Sequence, residues 1–119
     1  MKDTVVKKFA YAFAGLYAGW KSESSFRFQV VIGLLVICAG LVFGISRSEW
    51  LFVSLAIGMV LSLEMINTVL EKFLDIVNPE LDERVRTVKD MAAGVVFIAS
   101  MTATVIGFLV FIPYLIELL

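Results

Sequence analysis

W-L-F-V-S-L-A-I-G-M-V-L-S-L-E-M-I-N-T-V-L-E, residues 50–71, reads as a membrane-spanning helix with two carboxylates and an amide set into its second half. Residues 50–63 carry no charge, and Glu64, Asn67 and Glu71 then follow in close succession. A carboxylate costs about 2.5–3.5 kcal/mol at the centre of a membrane helix, so one that persists there faces a protein interior or a water-filled cleft and has work to do. On a helix turning about 100° per residue, Glu64, Glu71 and Asp75 fall within about 20° of one line, and Asn67 lies about 60° from it. Together they form one polar stripe. Glu64 is about 10 Å deeper along the axis than Glu71, which divides the labour: a deep carboxylate beside a lipid-borne group, and shallower ones where a water-soluble substrate or a metal can enter. The alternative is that Glu64 and Asn67 only hydrogen-bond across helices and fix an oligomer.

Working outward, the chain of 119 residues is 61% apolar, and its mean hydropathy is +0.96. That composition excludes a soluble globule and describes a single integral-membrane domain covering residues 1–119. Besides residues 50–71, residues 28–45 and 91–116 are uncharged and long enough to cross a hydrocarbon core of about 30 Å, so three spans are expected. The net charge of −1 hides an asymmetry. Lys2, Lys7, Lys8, Lys21 and Arg27 precede the first span, and Lys72, Arg84, Arg86 and Lys89 follow the second, while Arg47 stands alone between them. The positive-inside rule then puts the N-terminus and the 72–90 loop in the cytoplasm, with the short 46–49 turn and the C-terminus outside. Lys7 and Lys8 interrupt the apolar pattern of a cleavable signal, so the N-terminus is expected to be retained. Cys38 has no second cysteine or histidine to pair with and packs as a small hydrophobe.

Before the spans, Val6, Phe9, Phe13, Leu16 and Trp20 recur at steps of three and four, with Lys7, Lys8 and Tyr11 pointing elsewhere. Residues 1–22 therefore read as an amphipathic helix in the membrane interface, either a site element or a plain anchor. Ala10, Ala14 and Ala18 leave one of its faces open to close approach by another helix. Residues 21–27, K-S-E-S-S-F-R, make a polar break in which Ser22 can cap the next helix, with Glu23 in its first turn. Asn78-Pro79 ends the second span's extension, and residues 80–90 read as a mixed-charge connector. Lys89-Asp90 then opens the third span ahead of Ala92, Ala93 and Gly94. At a helix N-terminus the free N–H groups, with Lys89 added, suit a phosphate, although such a pair also serves as a topological mark. The chain has no histidine and no phosphate-binding glycine loop, so any catalysis rests on carboxylates, lysines and a metal.

Glu23, then S-L-E-M-I-N-T-V-L-E (residues 62–71), then V-K-D-M-A-A-G (residues 88–94), in this order on a three-span chain, resemble the bacterial diacylglycerol kinase family. The likeness is strongest to its undecaprenol kinase branch. It covers nearly the whole chain, from Tyr11, Gly15 and Trp20 to I-G-F-L-V-F-I-P (residues 106–113), and E-x-x-N-x-x-x-E together with K-D is specific. The resemblance implies an all-α homotrimer in the bacterial inner membrane, an interfacial helix plus three spans per subunit, with active sites shared between neighbours at the cytoplasmic side. Its reaction would pass the γ-phosphoryl group of Mg-ATP to the hydroxyl of undecaprenol, or alternatively of diacylglycerol. By the same resemblance Glu64 corresponds to the general base, and Glu23 and Glu71 to Mg²⁺ ligands. Tyr11, Glu80, Leu81, Asp82, Lys89 and Asp90 match nucleotide-contacting positions, and Asn67 and Asp75 match further polar positions of the site. No nucleic-acid partner is expected. Two departures stand out. Thr4 occupies a position where a relative has arginine, leaving that contact absent or taken over by Lys7 or Lys8, and the connector from Leu81 to Thr87 is more charged than in relatives with a histidine there. A non-enzymatic scaffold or proton-conducting subunit is the competing reading of the acidic stripe.

Overall fold

The computed structural model describes residues 4–80 and 82–119. Their architecture is all-helical: α1 (Val5–Ser22), α2 (Ser24–Phe43), α3 (Arg47–Val77) and α4 (Glu83–Leu118). Among the described residues α2, α3 and α4 are the three helices long and apolar enough to cross a membrane. At 1.5 Å per residue, the 31 residues of α3 and the 36 of α4 outrun a hydrocarbon core of about 30 Å. The excess is polar and lies toward residues 71–77 and 83–90, at the acidic end of the molecule.

The opposite end is closed by a tight turn. Gly44 ends α2 in the left-handed conformation, with φ 62°, which glycine adopts without a Cβ penalty. Ser46 caps α3 through a reciprocal box: its hydroxyl accepts from Glu49 N at 3.2 Å, and Ser46 N donates to Glu49 Oε1 at 2.8 Å. Arg47–Glu49 are therefore already helical, and the turn is shorter than the expected 46–49 segment. Ile45, Val53 and Val110 form the buried core beneath it, surrounded by Phe43, Trp50, Phe111 and Tyr114. Gly40 lets the indole of Trp50 lie against the α2 backbone; a Cβ at Gly40 would sit 2.6 Å from its Cη2.

The N-terminal region meets the bundle at one place. Thr4 caps α1, its hydroxyl accepting from Lys7 N at 3.3 Å, which gives this position a local role in place of the arginine contact. Along α1 only Gly19 is buried, against the side chain of Met65. The alanines at 10, 14 and 18 are exposed, so within one chain the small-residue face packs on nothing. A sharp elbow at Glu23 follows, and Arg27 holds it by donating from Nη1 to the carbonyls of Trp20 at 2.6 Å and Lys21 at 3.2 Å. These are the unpaired carbonyls at the end of α1, where a cation is favoured. Ser22 does not cap α2, as it is the last residue of α1; Glu23 is both the C-cap of α1 and the N-cap of α2, and its side chain makes no capping bond.

The expected connector over residues 80–90 also contracts. Asp82 caps α4 by accepting from Arg84 N at 2.9 Å, so helix begins at Glu83 and Lys89 lies within the second turn. Lys89 is not at a helix N-terminus, and the dipole argument for a phosphate there falls.

Candidate active site

Glu64 and Thr68 are the buried polar residues of α3, and Glu64 is only 4% exposed. The Ser25 hydroxyl, in the first turn of α2, donates to Glu64 Oε2 at 3.2 Å. Thr68 ties its own hydroxyl to the Glu64 carbonyl at 3.0 Å, so it adds no hydrogen bond to the carboxylate. One turn further along α3, Asn67 Nδ2 donates to Glu71 Oε1 at 3.3 Å. This leaves Asn67 Oδ1 buried without a partner among the described residues. A buried acceptor left unpaired costs about 1–3 kcal/mol, so this oxygen is suited to accept a donor or ligate a cation.

Further toward the acidic end, Lys89 Nζ meets Asp75 Oδ1 at 2.6 Å and links α4 to α3. Both side chains are substantially exposed, so the pair aligns the helix ends more than it stabilises the fold. At the start of α4 the Arg84 guanidinium beside Asp82 holds its carboxyl below the usual aspartate value of 3.8.

The acids are thus graded along α3 as the helical spacing predicts: Glu64 buried, Asn67 and Glu71 half-buried, Asp75 exposed. Glu23 is half-buried at the elbow, two residues from Ser25. Tyr11 on α1, Glu80 and Asp90 are exposed and make no side-chain hydrogen bond among the described residues. Leu81 lies outside the described residues. Sequence reasoning missed Ser25 and the clasp made by Arg27. The signal for Ser25 was faint: a hydroxyl two residues after Glu23 in a polar break, with nothing to show that the elbow aims it at Glu64.

Magnesium, which the resemblance implies, can be tested against these donors. Carboxylate Glu71 and the unpaired amide oxygen of Asn67 are hard oxygen ligands of the kind this ion takes, and Mg²⁺ commonly uses one or two carboxylates plus substrate phosphates and water. No group of three His, Cys, Asp or Glu side chains gathers among the described residues, so the donor set fits a phosphate-borne cation and not an all-protein cage. Beyond Glu64, an apolar cavity of about 540 Å³ runs between α2, α3 and α4, lined by Gly33, Val53, Ala56, Val60 and Phe111, with Gln29, Ser100 and Thr104 as its polar members. Val60 is one turn from Glu64, and Gln29 one turn from Ser25.

Fold and site define an all-helical membrane protein with a stripe of acidic and amide side chains running from the buried Glu64 to the polar end of its long helices. Residues 10–111 match the family model of the prokaryotic diacylglycerol kinases, and the chain belongs to that family. It is similar to the undecaprenol kinase of Bacillus subtilis (strain 168), 31% identical over 92% of this chain and 89% of the relative. The diacylglycerol kinase of Synechocystis sp. is 30% identical over 93% of this chain and 64% of its own length. That of Escherichia coli (strain K12) is 26% identical over 85% and 83%. The chain is an ATP-dependent lipid kinase of a bacterial membrane, acting on ATP and a membrane lipid. The competing reading as a non-enzymatic scaffold is set aside.

Proposed function

We propose that this kinase transfers the γ-phosphoryl group of ATP to the hydroxyl of undecaprenol, with Glu64 as general base. The observation that carries the reading is a buried Glu64 held between an apolar cavity on one side and the Asn67–Glu71 pair on the other. A lipid whose chain lies in the cavity brings its hydroxyl to Glu64 from the apolar side, while nucleotide enters from the polar side. The lipid oxygen bonds to the γ-phosphorus as its proton passes to the Glu64 carboxylate. The bond from that phosphorus to the β–γ bridging oxygen breaks, and ADP leaves with the electron pair. Such a transfer asks the protein for alignment and charge neutralisation more than for covalent chemistry.

Glu23 and Glu71 are the residues that would hold Mg²⁺, which when bound neutralises charge on the phosphates. Lys89 is proposed to exchange Asp75 for an ATP phosphate, a role that rests on its charge and on its place beside the stripe. Tyr11, Glu80, Leu81, Asp82 and Asp90 are assigned to the nucleotide on the family resemblance. The site faces the cytoplasm, supported by the excess of lysine and arginine at that end of the helices. A homotrimer with shared sites fits a chain whose α1 is exposed along nearly all its length.

Undecaprenol is favoured over diacylglycerol because the undecaprenol kinase relative matches at higher identity and over more of its own length than either diacylglycerol kinase described above. The test is phosphate transfer from labelled ATP in detergent, with undecaprenol and diacylglycerol offered in parallel. Faster labelling of diacylglycerol would reverse the assignment.

A further inference from the structure

We propose that Ser25 is a positioning residue for the reacting carboxylate: its hydroxyl pins Glu64 Oε2 and so presents Oε1 to the acceptor hydroxyl. This inference rests on the reading of Glu64 as the base. The geometry is specific to one bond. Among the described residues Ser25 is the one side chain that hydrogen-bonds the Glu64 carboxylate, at 3.2 Å, and it reaches there across 39 residues of sequence. A hydroxyl supplies a single proton to donate, so one carboxylate oxygen is engaged and the other is left for substrate.

The placement of Ser25 is determined by its surroundings. Phe26, its neighbour, is buried, Gly19 seats the end of α1 against Met65 beside Glu64, and Arg27 clasps the last carbonyls of α1. The elbow at Glu23 is therefore held from both sides of Ser25. Glu64 has rotamer freedom of its own, and a general base must lie within hydrogen-bond reach of the proton it abstracts. One hydrogen bond from a hydroxyl carried on the braced elbow narrows that freedom without occupying the second oxygen. The same short segment carries Glu23, so the elbow would bring a proposed metal ligand and the partner of the base to the site as one unit.

The experiment measures kcat and the KM for ATP on purified, assembled enzyme, using whichever of undecaprenol or dioleoylglycerol the wild type phosphorylates. Ser25→Ala is expected to lower kcat about tenfold, the factor that loss of one hydrogen bond to a charged group produces, while the KM for ATP stays at its wild-type value. Ser25→Thr keeps the hydroxyl and recovers most of the rate. Ser25→Cys keeps the volume with a weak donor, loses rate as alanine does, and provides the measurement if the alanine variant fails to assemble. In the Glu64→Gln background, Ser25→Ala should cost nothing further, because there is no carboxylate left to orient. Wild-type kcat in Ser25→Ala or Ser25→Cys overturns the inference, as does an undiminished loss in the Glu64→Gln background. The two readings fail separately: an active Glu64→Gln removes the base itself, whereas an inactive Glu64→Gln beside an unimpaired Ser25→Ala removes only the positioning role.

Discussion

The two ends of the helical bundle solve opposite problems. At the α2–α3 turn the capping groups are paired locally: Ser46 and Glu49 cap each other, and the Tyr114 hydroxyl crosses from α4 to donate to Glu49. Phe43 packs its ring against those of Phe111 and Tyr114, and Val53 beneath them is 2% exposed. At the acidic end, among the described residues, Asn67 Oδ1 is buried without a partner, the Glu64 carboxylate is held by a single hydroxyl, and the Asp75–Lys89 pair is open to solvent. The contrast separates a region built for closure from one that presents polar groups able to take a ligand. Unsatisfied buried polarity is costly, so it persists where a ligand makes up the loss.

The sharpest way to break the contrast is at Glu64. Glu64→Gln preserves shape and burial but removes the proton acceptor, and kcat is expected to fall about a hundredfold or more while the KM for ATP changes little. Steady-state kinetics against ATP checks this, and an unchanged kcat would move Glu64 to the structural side. Glu71→Ala and Glu23→Ala come next. Each should raise the Mg²⁺ concentration needed for half-maximal activity, by about tenfold if it supplies one ligand of a phosphate-borne cation. Metal titrations of the two variants decide it, and a residue whose loss leaves the metal dependence at the wild-type level is demoted to a structural acid.

At the closed end the expected damage is to stability instead of turnover. Gly40→Ala drives a methyl group into the Trp50 indole and should destabilise the fold by about 1–3 kcal/mol. Gly19→Ala meets only the flexible end of Met65 and should cost less than Gly40→Ala. Thermal unfolding in detergent ranks the pair, and equal losses would erase the distinction between a rigid and a yielding contact. The smallest stability effect is expected at Lys89. Lys89→Ala breaks an exposed ion pair worth about 1 kcal/mol or less, yet should raise the KM for ATP, with Lys89→Arg recovering part of it. A normal ATP affinity in Lys89→Ala would leave the residue only its bond to Asp75.

Much of the molecule is legible in its amino-acid sequence. Three long apolar runs require membrane helices because no other open element satisfies its backbone in lipid, and the spacing of Glu64, Asn67, Glu71 and Asp75 dictates a single face by helical geometry alone. The graded burial along α3 follows from those two facts. Helix ends were less legible. The reading of residues 80–90 as a connector gave charge density the weight of a breaker, but arginine, lysine and glutamate are good helix formers, and Asp82 supplies the cap that lets α4 start early.

By itself, then, the amino-acid sequence determined the class, the helices and the polar stripe, since these depend on hydropathy and on a fixed turn per residue. Tertiary structure alone decided which groups meet across elements: Ser25 with Glu64, Asp75 with Lys89, Arg27 with the carbonyls that end α1. Those contacts span gaps in sequence that no local period encodes: the elbow between α1 and α2, with Gly19 against Met65, sets the first and third, and the packing of α4 along α3 sets the second.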